Sequence, residues 1–316
     1  MNYHLYFHND FDGVASGAVM LNFLRSRGDN IISFTPMDYS PALKKRWANF
    51  KFKKPFIIVD FLYHPKASWW FDHHPTSFVH AAWRKKFRND KNHVFGLARR
   101  SSCCDLMARC LKKEFSYKPP KFIVELVKWA TFVDGAWYKS AREAIESKQP
   151  AIRLARATDP NLRGRALVKY FEAMVKSLAS EPIARTIQIP AVKKEIRRVE
   201  GSDAKVKKVL GRISTVTGRT VFLDGTRANV ELSNYSGYYF HPKIDYTLSL
   251  EFHGSYYHLT VGKNPWKKTP AKVHIGKMLD KYGGGGHKTV GGVERKSKRE
   301  ILRIVREVVE YLGRYG

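Results

Sequence analysis

The chain is 316 residues long and carries 57 lysines and arginines against 28 aspartates and glutamates, a formal charge of +29, with 43% hydrophobic and 13% aromatic residues. That apolar content is enough for packed cores and excludes a disordered basic tail. No run approaches the roughly 20 apolar residues of a membrane span, and no basic stretch carries a clean apolar helical face, so no membrane partner is expected.

In chain order, residues 3–7 read as a short apolar strand, and after a polar loop residues 14–24 place Ala15, Ala18, Val19, Leu21 and Phe23 at helical spacing. Residues 31–34, 55–60 (PFIIVD) and 69–71 are further strands, continuously apolar as in parallel sheets. The pattern implies a doubly wound α/β domain, whose ligands sit at the carboxyl ends of the strands. From residue 101 to about 178 the pattern is mostly helical. The three cysteines, Cys103, Cys104 and Cys110, form no Cys-x-x-Cys pair and read as small helix-core residues of a reducing compartment. With an opening that lacks a signal-peptide pattern, they point to the cytoplasm. Residues 182–208 suggest a helical connector. Strands at 212–217, 220–224, 246–252 and 256–261, with helices at 271–282 and 298–312, make a smaller α+β domain. The expected division is a catalytic domain 1–185, a connector 186–210 and a substrate-binding domain 211–316.

The charge excess is spread along the chain, +20 over residues 1–210 and +9 over 211–316. Such a field attracts polyanions, and a nucleic-acid or nucleotide partner is expected. The runs Lys44-Lys45-Arg46 and Arg84-Lys85-Lys86, taken alone, are ordinary solvated surface.

Acidic residues and histidines stand where apolar segments end. His8, Asp10, Asp12 and Gly13 follow the first strand, Asp60 ends PFIIVD, Asp72-His73-His74 follows Trp-Trp-Phe, and Asp134 follows a helical stretch. Each alone is a turn, a cap or a surface histidine. Four clusters together in a basic chain imply cations, because crowded carboxylates raise each other's pKa unless neutralised. Oxygen and imidazole donors without a thiolate set suit Mn²⁺ or Mg²⁺, with Co²⁺ or Zn²⁺ possible. If the loop from His8 to Asp12 is extended, alternate side chains line one rim, and Gly13 permits a tight turn into the helix.

These motifs, in this order, resemble those of the DHH phosphoesterase superfamily. The run Tyr282-Gly283-Gly284-Gly285-Gly286-His287, followed by Gly291-Gly292, resembles the glycine-rich signature of the domain associated with it. The opening HLYFHNDFDGVASG is most similar to the nanoRNase B type of oligoribonuclease, and the His-x-Asp-x-Asp spacing also resembles RecJ-like nucleases.

The resemblance implies a two-metal phosphodiesterase or exonuclease releasing mononucleotides from short single-stranded RNA or DNA in a cleft between domains. Dinucleotides, cyclic or linear, and longer single-stranded DNA are alternative substrates. One ion would be held by His8, Asp10 and Asp60 and the other by Asp12, Asp60, His73 and Asp134, with Asp60 bridging. A water shared by the ions would be the nucleophile. Asp72 would orient the histidines and His74 would face the scissile phosphate. Gly283, Gly284, Gly285 and Gly286 would bring backbone N–H groups to an anion, and His287 would bond a phosphate or stack on a base. The arginine that such proteins often carry before the glycine-rich helix is missing. Lys263, Lys267 and Lys268 are expected to supply charge instead, with Asn264 beside them and Trp266 as a stacking face or a packing residue.

Overall fold

In the computed structural model, which describes residues 1–316 apart from 97–101, 269 and 287, the chain divides into two units. The first is Met1–Trp137 with Lys148–Ile196 and the second is Tyr138–Ser147 with Arg197–Gly316. The segment Tyr138–Ser147, placed with the catalytic domain from sequence, thus clusters with the second unit.

The first unit opens with β1 (Asn2–His8), α1 (Phe11–Arg25), β2 (Asn30–Met37), α2 (Pro41–Arg46), β3 (Phe56–Val59), β4 (Trp69–Asp72), α3 (Ala81–Lys86) and β5 (His93–Phe95). Helices α4 (Cys103–Phe115) and α5 (Lys121–Asp134) follow. After α6 (Ala141–Glu146), which belongs to the second unit, come α7 (Pro150–Arg156), α8 (Gly164–Leu178) and α9 (Ile183–Thr186). The strands form one parallel sheet in the order β2-β1-β3-β4-β5. Both faces are covered, which is why the strands read as unbroken apolar runs. In β3, Ile57 and Val59 enter the core under α1, α4, α5 and α8, while Phe56 and Ile58 enter an aromatic core under α2 and α3. The chain leaves β1 for one face and β2 for the other. Strand order therefore reverses between β1 and β3, the switch point at which doubly wound sheets open a crevice at their carboxyl ends. Strand β5 escaped the sequence reading because its three residues are only half-buried and carry no apolar pattern.

Helix α10 (Pro190–Ile213) runs across the boundary between the units. The second unit adds β6 (Ser214–Thr217), β7 (Thr220–Asp224), α11 (Ser236–Phe240), β8 (Tyr246–Phe252), β9 (Tyr257–Lys263), α12 (Ile275–Asp280), β10 (Gly285–Gly286), β11 (Val290–Arg295) and α13 (Lys298–Tyr315). Its sheet is mixed, in the order β10-β11-β9-β8-β7-β6, with only the β7–β8 pair parallel. Helix α13 buries Ile301, Ile304, Val305, Val308 and Leu312, one apolar stripe at helical spacing, against Leu248, Leu250 and Leu259. Each such side chain contributes about 1.5–3 kcal/mol by leaving water. No helix among the described residues is long and apolar enough to cross a membrane.

Candidate metal centre

Strand β1 ends at His8, and Asp10 caps α1, its Oδ1 accepting the Gly13 N–H at 2.8 Å. The helix starts so close to the strand that a side chain at Gly13 would meet the His8 carbonyl oxygen at 2.1 Å. Gly13 is thus required for a close approach, not for a special turn. The extended loop expected from His8 to Asp12 does not form, because α1 begins at Phe11. His8 and Asp10 stay together, Nδ1 to Oδ2 3.0 Å. Asp12, in the first turn of α1, instead meets the start of α4, where the N–H groups of Cys103 and Cys104 donate to its Oδ2 and Oδ1 at 2.7 and 3.0 Å. Those donors left no trace in the side-chain pattern, and the sequence reading missed them. Cys103 and Cys104 are buried, free thiols, as expected of helix-core residues.

Asp60 follows β3 with a φ of +56°, a conformation that aspartate tolerates better than most residues. Its side chain has no exposed surface, and neither carboxylate oxygen accepts a hydrogen bond among the described residues. Instead Oδ2 lies 3.6 Å from His8 Nδ1, and Oδ1 lies 3.6 Å from His74 Nδ1 and 3.7 Å from His73 Nε2. His73 Nε2 also stands 3.7 Å from Asp12 Oδ2 and 3.8 Å from Asp134 Oδ2. Asp72, at the end of β4, accepts the backbone N–H of His73 at 2.7 Å and the His74 ring nitrogen Nδ1 at 2.8 Å on Oδ1, and Ser77 donates to Oδ2. Asp134 is the last residue of α5. A helix C-terminus is the unfavourable end for a carboxylate, so a cation there has a place to act.

The donor atoms fall into the trios His8, Asp10, Asp60 and Asp12, His73, Asp134, each within 4.8 Å, and Asp60, His73 and His74 form an overlapping third. Separations of 3.6–3.8 Å exceed a hydrogen bond, so these donors face one another unbonded and would suit a cation held between them.

The electrostatics agree. Burial, then the charges of Asp12 and Asp10, push the Asp60 carboxyl well above the usual range. Burial, then Asp134 and Asp10, do the same to Asp12 despite its two N–H donors. Burial and Asp10 push Asp134 up to about 6. At Asp10 burial acts upward too, but His8 outweighs it and the group lies well below its ordinary value. Burial disfavours a charged His74, yet the bond to Asp72 and that residue's charge raise it to about 10. So many carboxyls cannot all ionise together without added positive charge. Oxygen and imidazole donors fit Mn²⁺, Mg²⁺ or Co²⁺. The Cys103 thiol donates to the Phe71 carbonyl and does not join the donor set.

A further group borders the centre. The Tyr39 ring, just past β2, lies 4.9 Å from His8 and 4.5 Å from Phe61, and its hydroxyl is buried without a hydrogen-bond partner among the described residues. Its one signal in the sequence was its place at a strand end.

The substrate-contact expectations fare differently. The N–H groups of Gly283 and Gly284 donate to Asp280 and Leu279 carbonyls at 2.8 and 3.1 Å, closing α12, and Gly285 and Gly286 pair with Gly292 and Gly291 in the sheet. A side chain at Gly286 would meet Gly291 Cα at 2.4 Å, so these glycines serve close backbone packing. Asn264 is buried, its amide donating to the Ile244 carbonyl and its oxygen accepting the Trp266 N–H, which leaves it a turn residue. Trp266 donates its indole N–H to the Tyr138 carbonyl at 2.7 Å and packs on Tyr235 and Tyr238. It is therefore an anchored packing residue in the wall of a cleft of about 380 Å³ bordered by Lys139 and Arg142. Lys263, at the end of β9, donates its backbone N–H to Thr289. His287 lies outside the described residues.

Among solved structures, the chain is similar to a pGpG-specific phosphodiesterase, PggH, of Vibrio cholerae, with a TM-score of 0.71 at 20% identity over 99% of this chain and 100% of that one. The two chains share their fold over their whole length. Exonuclease RecJ bound to manganese gives a TM-score of 0.58 at 14% identity, covering 100% of this chain and 91% of that one. RecJ of Thermus thermophilus in complex with Mn²⁺ gives 0.57 at 15% identity, and there the whole of this chain matches 52% of the other. No family model matches the sequence, and no curated protein does. Likeness at such identities shows a shared fold, and the chemistry rests on the residues at the strand ends.

Proposed function

We propose that the chain is a divalent-cation-dependent phosphodiesterase that hydrolyses short single-stranded oligonucleotides to mononucleotides in a reducing cytoplasm. One observation carries the reading: the Asp60 carboxylate is fully buried, accepts no hydrogen bond and has three imidazoles within 3.7 Å of its two oxygens. Burying a carboxylate without hydrogen bonds costs several kcal/mol, and divalent cations held beside it would remove that cost.

In this reading His8, Asp10 and Asp60 would hold one ion, and Asp12, Asp60, His73 and Asp134 would hold the other. When bound, the pair supplies Lewis-acid polarisation of a phosphoryl centre and a nucleophilic water near neutral pH. The chain's own groups do the rest. Asp72 fixes the His74 ring through Nδ1 and keeps a proton on it, which suits His74 to meet charge developing on a phosphoryl oxygen. The α4 N–H groups aim Asp12, and Asp10 joins His8 to the start of α1. Manganese is the first choice of ion, in line with the manganese-bound RecJ neighbours.

The whole-length likeness to a pGpG-specific phosphodiesterase favours a second reading, in which a linear dinucleotide is the preferred substrate. A RecJ-like action on longer single-stranded DNA is the third. A timed digestion with Mn²⁺ of labelled two- to twenty-residue RNA and DNA, beside cyclic dinucleotides, separates them. Mononucleotides from oligomers of several lengths support the first reading. Cleavage confined to dinucleotides selects the second, and no cleavage of any diester refutes the hydrolase.

A further inference from the structure

The two basic runs that look like plain solvated surface in the sequence are joined in the fold by an aromatic core. Lys44-Lys45-Arg46 closes α2 and Arg84-Lys85-Lys86 closes α3. Trp47, next to the first run, has its ring 6.3 Å from His64, and Trp83, next to the second, has its ring 5.2 Å from the same imidazole. Phe52 lies 4.8 Å from His64 and 5.2 Å from Trp47, which brings Lys51, Lys53 and Lys54 to the same lobe.

Residues 41–91 hold twelve lysines and arginines and three aspartates. Two of the aspartates, Asp60 and Asp72, are buried in the metal centre, and the third, Asp90, is turned onto the N–H groups of Asn92 and His93. All twelve cations are exposed, and none pairs with an acidic side chain among the described residues. The lobe is contiguous with the centre. Lys44 Nζ lies 5.6 Å from the Tyr39 ring, which lies 4.9 Å from His8, and Phe61, directly after Asp60, lies 5.4 Å from Trp47.

We infer that this lobe holds the phosphodiester backbone of a single strand extending beyond the phosphate at the metal centre. The inference rests on the phosphodiesterase reading and deepens it. A dozen exposed like charges on a packed aromatic base repel one another, and a polyanion relieves that repulsion while releasing its own counterions. A lipid surface is the poorer fit, because residues 41–91 present no large exposed apolar side chain to insert: Leu43, Trp47 and Phe87 are all buried.

The test uses the full chain with Lys44, Lys45, Arg46, Arg84, Lys85 and Lys86 changed together to glutamine, beside a control with Lys205, Lys207 and Lys208 of α10 changed likewise. The probes are a labelled twelve-residue single strand, bound without divalent ions over a range of salt, and hydrolysis of a dinucleotide with Mn²⁺. The lobe variant is expected to melt like wild type and to bind the twelve-residue strand at least about tenfold more weakly. Its logarithmic salt slope should be shallower by roughly 2, at about 0.7 per lost phosphate contact. A dinucleotide has a single phosphodiester, which the metal centre itself would hold, so its hydrolysis should change less than about twofold, and the α10 control should bind the long strand nearly as before. Unchanged binding by the lobe variant, or an equal loss in the control, overturns the inference. So does wild-type binding to phosphatidylserine vesicles with no binding to the strand. Lobe-dependent strand binding by a wild type that cleaves nothing refutes the hydrolase and leaves the strand-binding surface standing.

Discussion

The backbone N–H of Cys103 donates to Asp12 Oδ2 at 2.7 Å, tying the first turn of α4 to the first turn of α1 across 91 residues of sequence. The contact is made by main chain, so Asp12 keeps its donor when the side chain at 103 is replaced. Replacing Cys103 and Cys104 by alanine should cost about 1–3 kcal/mol of stability through lost packing and leave Mn²⁺ affinity within about twofold. Asp12→Ala should reduce that affinity by at least about tenfold, since it removes an oxygen from the second trio. Isothermal titration of the three proteins with Mn²⁺ decides it, and an alanine pair that no longer binds would make the thiols ligands.

Asp60→Asn separates the metal role of this residue from a structural one. Asparagine keeps the shape and accepts positive φ, but it removes a buried charge that has no hydrogen bond. The metal-free variant should therefore melt at a temperature equal to or above wild type, while the Mn²⁺-induced shift disappears and turnover falls by at least about 10³-fold, roughly 4 kcal/mol. A metal-free variant that is markedly less stable would show that Asp60 is a fold residue.

The pH dependence has a definite sign. Asp134 is pushed up to about 6, and Asp12 and Asp60 well above their ordinary values, so the native state holds more protons than the unfolded chain. Their contribution is complete below the unfolded value of about 4 and is lost as pH rises through the folded values. His74, raised to about 10, acts in the same sense at higher pH, and Asp10, held low, acts in the opposite sense only in acid. The metal-free protein should lose thermal stability between about pH 5 and about pH 8, and the Mn²⁺-induced increase in Tm should widen over the same interval as protons cease to compete. Melting curves in chelator and in Mn²⁺ measure both, and a metal-free Tm that climbs with pH contradicts the arrangement.

Tyr39→Phe removes a buried hydroxyl without a protein partner. Deleting such a group is neutral or stabilising by up to about 1 kcal/mol in the empty protein. If the hydroxyl meets an oxygen of bound substrate, kcat/KM on a dinucleotide should drop about tenfold. Equal kcat/KM in both proteins would confine Tyr39 to packing beside His8.

The sheet of the first unit was legible in the sequence because burial on both faces writes continuous apolar strands, and its candidate ligands were legible because charged side chains end those strands. His8, Asp10, Asp12, Asp60, His73 and Asp134 do converge. What the sequence could not display is contact made by main chain. The α4 donors to Asp12 belong to two cysteines whose side chains point elsewhere, and Gly285, Gly286, Gly291 and Gly292 read as an anion loop although they pair with one another as strands. Trp266 was ambiguous for a related reason, since its partner is the Tyr138 carbonyl, 128 residues away. The helix start at Phe11 overrode the extended loop because Asp10 is a better cap than a strand residue.

That cap has one more effect. Asp10 gives one oxygen to the Gly13 amide and turns the other toward His8, so the carboxylate that starts a helix also faces the ion site. A cation held at Oδ2 would fix the carboxylate in place and with it the grip that Oδ1 keeps on the first turn of α1. The exchange rate of the Gly13 amide hydrogen is thus a built-in gauge of occupancy, slowing when the centre fills and quickening when it empties.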